Sequence, residues 1–263
     1  MTPATPILDR ILLTNDDGID APGLAVLERV AATLAKEVWV VAPFTDQSGT
    51  SHSISLHAPL RVSKHGTRRF GISGTPGDCV AMAVGHLMKD ALPQLVLSGI
   101  NRGANLGIET MFSGTVGAAM TALWLGVPSI ALSQAFEDRS AVPWGTAERL
   151  AGEVITRLLA WDCGTRACLN VNFPACPPEQ AGPVTLTRQG IGHLQGVEVL
   201  THTDPRELDY HWLHLTRNAP ADQDGTETAA LAGNCITVTP LQFERTHLQA
   251  YDEIRAKLER PAP

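Results

Sequence analysis

The residues best suited to chemistry begin at Asn15-Asp16-Asp17-Gly18, where two adjacent carboxylates follow directly on the apolar run Ile11-Leu12-Leu13. Neighbouring carboxylates repel, and each needs a cation, a hydrogen-bond donor or water. A solvated turn meets that need, since Asn, Asp and Gly are ordinary turn residues. A hard divalent cation meets it too, and two further segments favour the cation. Gln47-Ser48-Gly49-Thr50-Ser51 and Ser98-Gly99-Ile100-Asn101-Arg102-Gly103-Ala104-Asn105 also lie just after apolar runs. Asp16, Asp17, Ser48 and Asn101 together offer carboxylate, hydroxyl and amide oxygens, with no His or Cys in the front rank. An all-oxygen set suits Mg²⁺ or Mn²⁺, with water completing an octahedron. Taken singly, Ser48 reads as a loop hydroxyl bonding backbone and Asn101 as a turn residue beside Gly. A fourth segment, Phe112-Ser113-Gly114-Thr115-Val116-Gly117, is a small-residue turn into a helix. Backbone N–H groups at a helix start, with two hydroxyls, make an anion site. The plainer reading is an N-cap by Ser113 or Thr115.

Other segments carry less. Thr75-Pro76-Gly77-Asp78 fits a capping box. There is no Walker-type Gly-Lys-Ser/Thr, no Gly-x-Gly-x-x-Gly after a strand, and no Gly-x-Ser-x-Gly elbow. Cys163, Cys168 and Cys176 lack paired zinc-ligand spacing and read as buried or incidental thiols. His52 and His57 fall near the candidate site and read as surface or hydrogen-bonding residues.

These residues need a scaffold that brings distant segments to one edge. Short apolar runs at 10–13, 38–42, 95–98 and 129–132 alternate with helical patterns at 22–34, 75–89 and 115–125. Residues 54–72 read as β-structure, and 99–114 as a long Gly- and Asn-rich loop. Strand and helix in this rhythm imply right-handed crossovers and a parallel sheet buried on both faces. The expected fold is a doubly wound, mostly parallel α/β sandwich, Rossmann-like in its three layers. In such sheets ligands bind beyond the carboxyl ends of the strands, where all the polar segments fall. Residues 1–135 form the core carrying the site. Residues 136–263 extend the sheet and add a hairpin or arm and a C-terminal helix, as one structural domain with the core. There a helix is expected at 146–161, strands at 169–173, 184–187 and 236–241, and a helix at 247–259. Residues 190–230 read as polar and loop-like, an arm suited to packing on a partner subunit.

Composition narrows the function classes. The 263 residues are 44% hydrophobic with a net charge of −7, and the mean hydropathy is +0.01. No run approaches the ~18 apolar residues of a spanning helix. The first nine residues lack a signal-peptide pattern, and five cysteines argue against a disulfide framework, so a cytoplasmic location is expected. The acidic balance disfavours a surface that tracks nucleic acid, but it does not exclude a small anion held through a cation and backbone N–H groups.

The ordered motifs resemble the SurE family of stationary-phase survival proteins. They are Ile11-Leu12-Leu13-Thr14-Asn15-Asp16-Asp17-Gly18, Ala21-Pro22-Gly23, Val40-Val41-Ala42-Pro43, Ser48-Gly49, Gly74-Thr75-Pro76 with Asp78, Ser98-Gly99-Ile100-Asn101, Asn105-Leu106-Gly107 and Ser113-Gly114-Thr115-Val116. Weaker echoes follow at Leu169-Asn170-Val171-Asn172 and Thr237-Val238-Thr239-Pro240-Leu241. The resemblance implies a metal-dependent phosphatase of nucleoside 5′- and 3′-monophosphates, with polyphosphate trimming in some members. It implies one divalent cation per subunit at Asp16, Asp17, Ser48 and Asn101, and a homodimer or homotetramer joined through the C-terminal part. Glu227 stands where the family commonly has Asp, and Asn234-Cys235 replaces a more usual Gly-Tyr. On this reading Asp16 or Asp17 orients or deprotonates the attacking water, while Asn105, Ser113, Gly114 and Thr115 hold phosphoryl oxygens. A metal-dependent nucleoside hydrolase and a non-catalytic nucleotide sensor are the competing readings.

Overall fold

The computed structural model describes residues 6–161, 167–218 and 223–259. In chain order the elements are β1 (Leu8–Thr14), α1 (Pro22–Leu34), β2 (Ala35–Pro43), β3 (Val62–Gly66), β4 (Arg69–Ile72), α2 (Pro76–Met82), β5 (Leu95–Arg102), α3 (Gly114–Trp124), β6 (Ser129–Gln134), α4 (Trp144–Leu159), β7 (Cys168–Phe173), β8 (Val184–Leu186), β9 (Leu194–Thr203), β10 (Asp209–Arg217), α5 (Glu227–Ala232), β11 (Ile236–Leu241) and α6 (Leu248–Leu258).

Nine strands form one sheet in the order β3-β4-β2-β1-β5-β6-β7-β11-β8. The central pairs are parallel; β3 on β4 and β11 on β7 are antiparallel. The continuous apolar runs of β1, β5 and β6 follow from burial on both faces. On one face α1 and α4 cover Ile11, Leu13, Leu97, Ile130 and Val171. On the other, α2 and α3 cover Leu12, Val41 and Val96. The architecture is the doubly wound, Rossmann-like α/β sandwich that the strand–helix rhythm implies.

Local signals set the helix starts. Pro22 opens α1, whose Leu24, Leu27, Val30, Ala31 and Leu34 are buried. Thr75 and Asp78 form the expected capping box of α2. The Asp78 carboxylate also accepts the Ser55 N–H and hydroxyl, at 2.8 and 2.7 Å, and so pins the loop before it.

Three stretches differ from their sequence reading. β5 runs on past Ser98 to Arg102, so part of the Gly- and Asn-rich stretch is strand. Residues 54–61 hold no strand, and the β-structure there is the pair β3–β4. Residues 190–230 are not loop-like throughout: β9 and β10 pair as an antiparallel hairpin standing off the sheet. Its Val197, Val199, Leu213 and Leu215 alternate at strand spacing and remain exposed. Cys168 and Cys176 are buried, and Cys163 lies outside the described residues. Among the described residues no helix is long and apolar enough to cross a membrane.

Candidate active site

The strand order reverses at β1. From it the chain steps one way to β2 and β4, and the other way to β5, β6 and β7. A crevice opens beyond the carboxyl ends of β1 and β5 at such a switch point. A cavity of about 620 Å³ occupies it, and Asp16, Asp17, Ser48, Asn101, Asn105 and Ser113 are among its lining residues. The backbone fixes the loops that deliver them. Gln47 N–H donates to Asp16 O at 2.7 Å, and Ile19 N–H to Pro43 O at 2.8 Å, so the turn after β1 and the loop after β2 are bonded to each other. Ser51 N–H donates to Phe112 O at 3.1 Å and ties that loop to the segment before α3.

Asp16 sits at the floor, 3% exposed. Its Oδ1 accepts the Thr115 hydroxyl at 2.5 Å. Burial pushes its carboxyl up to about 6, against the opposing pull of Thr115 and with a further push from Asp17. Gly114 makes this seat possible, because a Cβ there would lie 2.7 Å from the Asp16 Cβ. Asp17 is raised by burial, while the Arg102 main-chain N–H at 3.2 Å and the Arg102 guanidinium at 3.9 Å oppose the rise. Ser48 N–H donates to Asp46 Oδ1 at 2.8 Å, which shapes its turn, and Ser48 lines the cavity. Asn101 Nδ2 donates to Gly103 O at 2.8 Å, so its Oδ1 is the end left for a ligand. Among the described residues no three His, Cys, Asp or Glu side chains gather to hold an ion. The candidate set has two carboxylates with hydroxyl and amide oxygens, an all-oxygen chemistry that fits a hard cation. Asp16, buried without a basic partner in its bonding, is the residue such a cation would neutralise.

The turn into α3 does two jobs inside the protein. Ser113 Oγ accepts Val116 N–H at 3.1 Å as the N-cap. Thr115 is wholly buried with its hydroxyl on Asp16. Among the described residues this leaves the Gly114 N–H as the donor of the turn with no protein acceptor.

Several lining residues escape sequence reasoning. Arg102, Arg139 and Arg217 bring positive charge, with Arg217 bonded to Glu109 at 3.0 Å. Phe112, Phe136 and His193 add ring surface. Arg217 comes from the hairpin and His193 from just before it, so no local pattern connects them to Asp16. His52 does not line this cavity; it is held below its usual range by burial and Arg245 beside a neighbouring hollow.

Residues 11–196 match the family model described as survival protein SurE. The chain is 62% identical over 259 residues to 5′-nucleotidase SurE 1 of Burkholderia lata, covering 98% of this chain and 100% of that protein. It is 48% identical over 244 residues to 5′-nucleotidase SurE of Paramagnetospirillum magneticum, covering 93% and 94%. The crystal structure of the Sure protein from Aquifex aeolicus superposes with a TM-score of 0.81 at 31% identity, covering 95% of this chain and 100% of that one. With its fold, its ordered motifs and relatives matched end to end, the chain belongs to the SurE family of survival proteins.

Proposed function

We propose that this protein is a divalent-metal-dependent phosphomonoesterase that hydrolyses nucleoside 5′- and 3′-monophosphates to nucleoside and phosphate. The observation that carries the reading is the convergence of Asp16 and Asp17 from the turn after β1, Ser48 from the loop after β2 and Asn101 from the end of β5 on one cavity. Relatives named 5′-nucleotidase support the substrate class.

Asp16, Asp17, Ser48 and Asn101 would hold one Mg²⁺ or Mn²⁺, which supplies charge neutralisation and a more acidic water when bound. Phosphoryl transfer otherwise needs positioning and donors for three oxygens. Arg102 and Asn105 line the cavity to supply those donors, and the Gly114 N–H, next to the lining residue Ser113, is a third. Thr115 fixes the direction of the Asp16 carboxylate, and Ser113 fixes the helix start that carries Gly114. Asp17, less buried and beside Arg102, is the carboxylate free to orient the attacking water. The same donor set accepts the terminal phosphate of a polyphosphate chain.

The subunits are proposed to assemble as a homodimer or homotetramer. Along α6 no residue is buried, although Leu248, Tyr251, Ile254 and Leu258 are apolar. Uncovered apolar area of this kind, together with the β9–β10 hairpin, marks an association surface.

The test is phosphate release from AMP by protein stripped with EDTA, before and after Mg²⁺ or Mn²⁺ is restored. Release that returns with the cation and disappears in Asp17→Asn supports the proposal. No metal-dependent release, or full activity in Asp17→Asn, overturns it. Free base from a nucleoside would instead indicate a nucleoside hydrolase, and AMP binding without turnover a sensor.

A further inference from the structure

A row of polar residues, half-buried at Asn101 and fully buried beyond it, crosses the sheet beside the cavity. In strand register Asn101 on β5 lies opposite Ser133 on β6, and Ser133 opposite Asn172 on β7. Asn170 shares a face of β7 with Asn172, two residues away. Interior strands of a covered parallel sheet are ordinarily apolar, and a buried amide is costly unless bonded. Beyond Asn101 the row is nonetheless almost fully buried: Asn170 is 1% exposed, and Ser133 and Asn172 are 0% exposed.

Their bonds converge on one residue. Asn105 N–H donates to Asn172 Oδ1 at 2.8 Å. Asn105 O accepts Asn170 Nδ2 at 2.8 Å and Asn172 Nδ2 at 3.3 Å. Asn105 Nδ2 donates to Ser133 Oγ at 2.8 Å. Residues 103–106 belong to no helix or ladder, so their buried main-chain groups must find partners elsewhere. Asn172 supplies both from a single amide, an acceptor for the N–H and a donor for the C=O, much as a neighbouring strand would. A buried loop needs such bonds merely to fold, but the Ser133 bond is different. It falls on the Asn105 side chain, adds nothing to main-chain satisfaction, and fixes which way that amide faces.

We propose that Ser133, with Asn170 and Asn172, positions the Asn105 amide for the phosphoryl group, an inference that rests on the phosphomonoesterase reading for the step it serves. Asn170 and Asn172 hold the main chain of Asn105 at the cavity wall. Ser133 takes one of its two amide hydrogens, and the other hydrogen and Oδ1 are left for the ligand. Ser133 touches no substrate; it acts through Asn105. A displacement of about 1 Å in such a group can cost on the order of 100-fold in rate.

The experiment is a cycle of Ser133→Ala, Asn105→Ala and the double variant, assayed with AMP and Mn²⁺ alongside thermal unfolding. Ser133→Ala is expected to lower kcat about tenfold, an intermediate effect for a slackened rather than deleted group. KM should stay within about threefold, and on the Asn105→Ala background the same change should cost less than about twofold. A tenfold loss that persists without the Asn105 side chain overturns the proposal, as does an unchanged kcat. Ser133→Cys, similar in size with a weak acceptor, should fall between parent and alanine, and it takes alanine's place in the cycle if the alanine variant does not fold. If the parent releases no phosphate, the nucleotidase reading fails, and the same cycle is read from AMP binding by calorimetry. Weaker binding in Ser133→Ala only when Asn105 is present then supports the positioning role. Equal weakening in both backgrounds, or no AMP binding by the parent, overturns it.

Discussion

Replacing Asp16 with Asn is expected to stabilise the cation-stripped fold near neutral pH and to remove the phosphatase activity of the cation-loaded protein. Burial holds the Asp16 carboxyl at about 6, against an ordinary value of 3.8. The gap is about 2 pH units, or ~3 kcal/mol at about 1.4 kcal/mol per unit. The folded-state value is the raised one, so between 3.8 and about 6 the folded chain keeps a proton that the unfolded chain has released. Stability therefore falls as pH rises through that window, and the full penalty applies above it. The amide introduced by Asp16→Asn carries no proton to lose, and its oxygen can still accept from the Thr115 hydroxyl. The assay is urea unfolding in EDTA at one protein concentration, at about pH 4 and about pH 7.5, for parent and Asp16→Asn. The curves should nearly coincide at the lower pH and separate by up to ~3 kcal/mol at the higher, with the variant more stable. Other titrating groups are common to both proteins and cancel to first order. Adding Mn²⁺ should raise the parent's stability and leave the variant's unchanged. A variant less stable than the parent at neutral pH, or a gap that does not change with pH, would refute the burial argument.

Three further outcomes concern buried loop contacts and the exposed helix α6. Gly107→Ala should cost at least about 3 kcal/mol in thermal or urea unfolding, because φ is +53° and the new Cβ would lie 2.2 Å from the Ile191 and Gly192 backbone; Gly49→Ala, at φ +80° with open space around it, should cost only about 1 kcal/mol. Glu227→Gln should lose about 1–3 kcal/mol in the same assay, since the buried Glu227 carboxylate accepts Gly107 N–H at 2.6 Å and Gly190 N–H at 2.8 Å, and an amide can serve only one of them. Ile254→Asp on the exposed α6 should shift the sedimenting species toward a smaller assembly without changing the far-UV spectrum, and an unchanged assembly would remove α6 from the interface.

The parts of this molecule that were legible in its sequence are those whose cause is local. Leu12-Leu13, Val96-Leu97 and Ile130-Ala131 read as strands because burial on both faces permits no alternation. Asp16, Asp17, Ser48 and Asn101 could be grouped because each lies at or just past the carboxyl end of a strand, and a parallel sheet brings those ends to one edge. Glu227 stood out as a departure from the family pattern, yet nothing near it in the chain names Gly107, which it meets 120 residues away. A hairpin or arm is expected in 136–263, but its place is obscured by composition: Thr201, His202, Thr203 and Asp204 make its tip polar. The pairs Val197/Val199 and Leu213/Leu215 carried the two-residue period that would have revealed it. Leu169-Asn170-Val171-Asn172 held a similar signal, an apolar–polar alternation in a strand that both layers cover. Such a pattern points to amides with buried partners, but not to which residue those partners belong.

Thr115 shows what spacing alone leaves out of a donor's surroundings. As a hydroxyl at a helix start it reads as a phosphate ligand, and its spacing from Ser113 is right for that. The partner that decides its role, Asp16, lies 99 residues earlier in the chain and is brought beside it only by the sheet order. Once Asp16 occupies the start of α3, the positive end of that helix already faces a carboxylate. A second anion can approach there only if the Asp16 charge is offset, by a proton below about pH 6 or by a cation above it. On the proposed phosphatase reading, the buried carboxylate would make phosphate binding at neutral pH conditional on a bound cation. Phosphate affinity measured in EDTA should therefore rise as the pH is lowered through 6, and Asp16→Asn should bind phosphate in EDTA without that dependence.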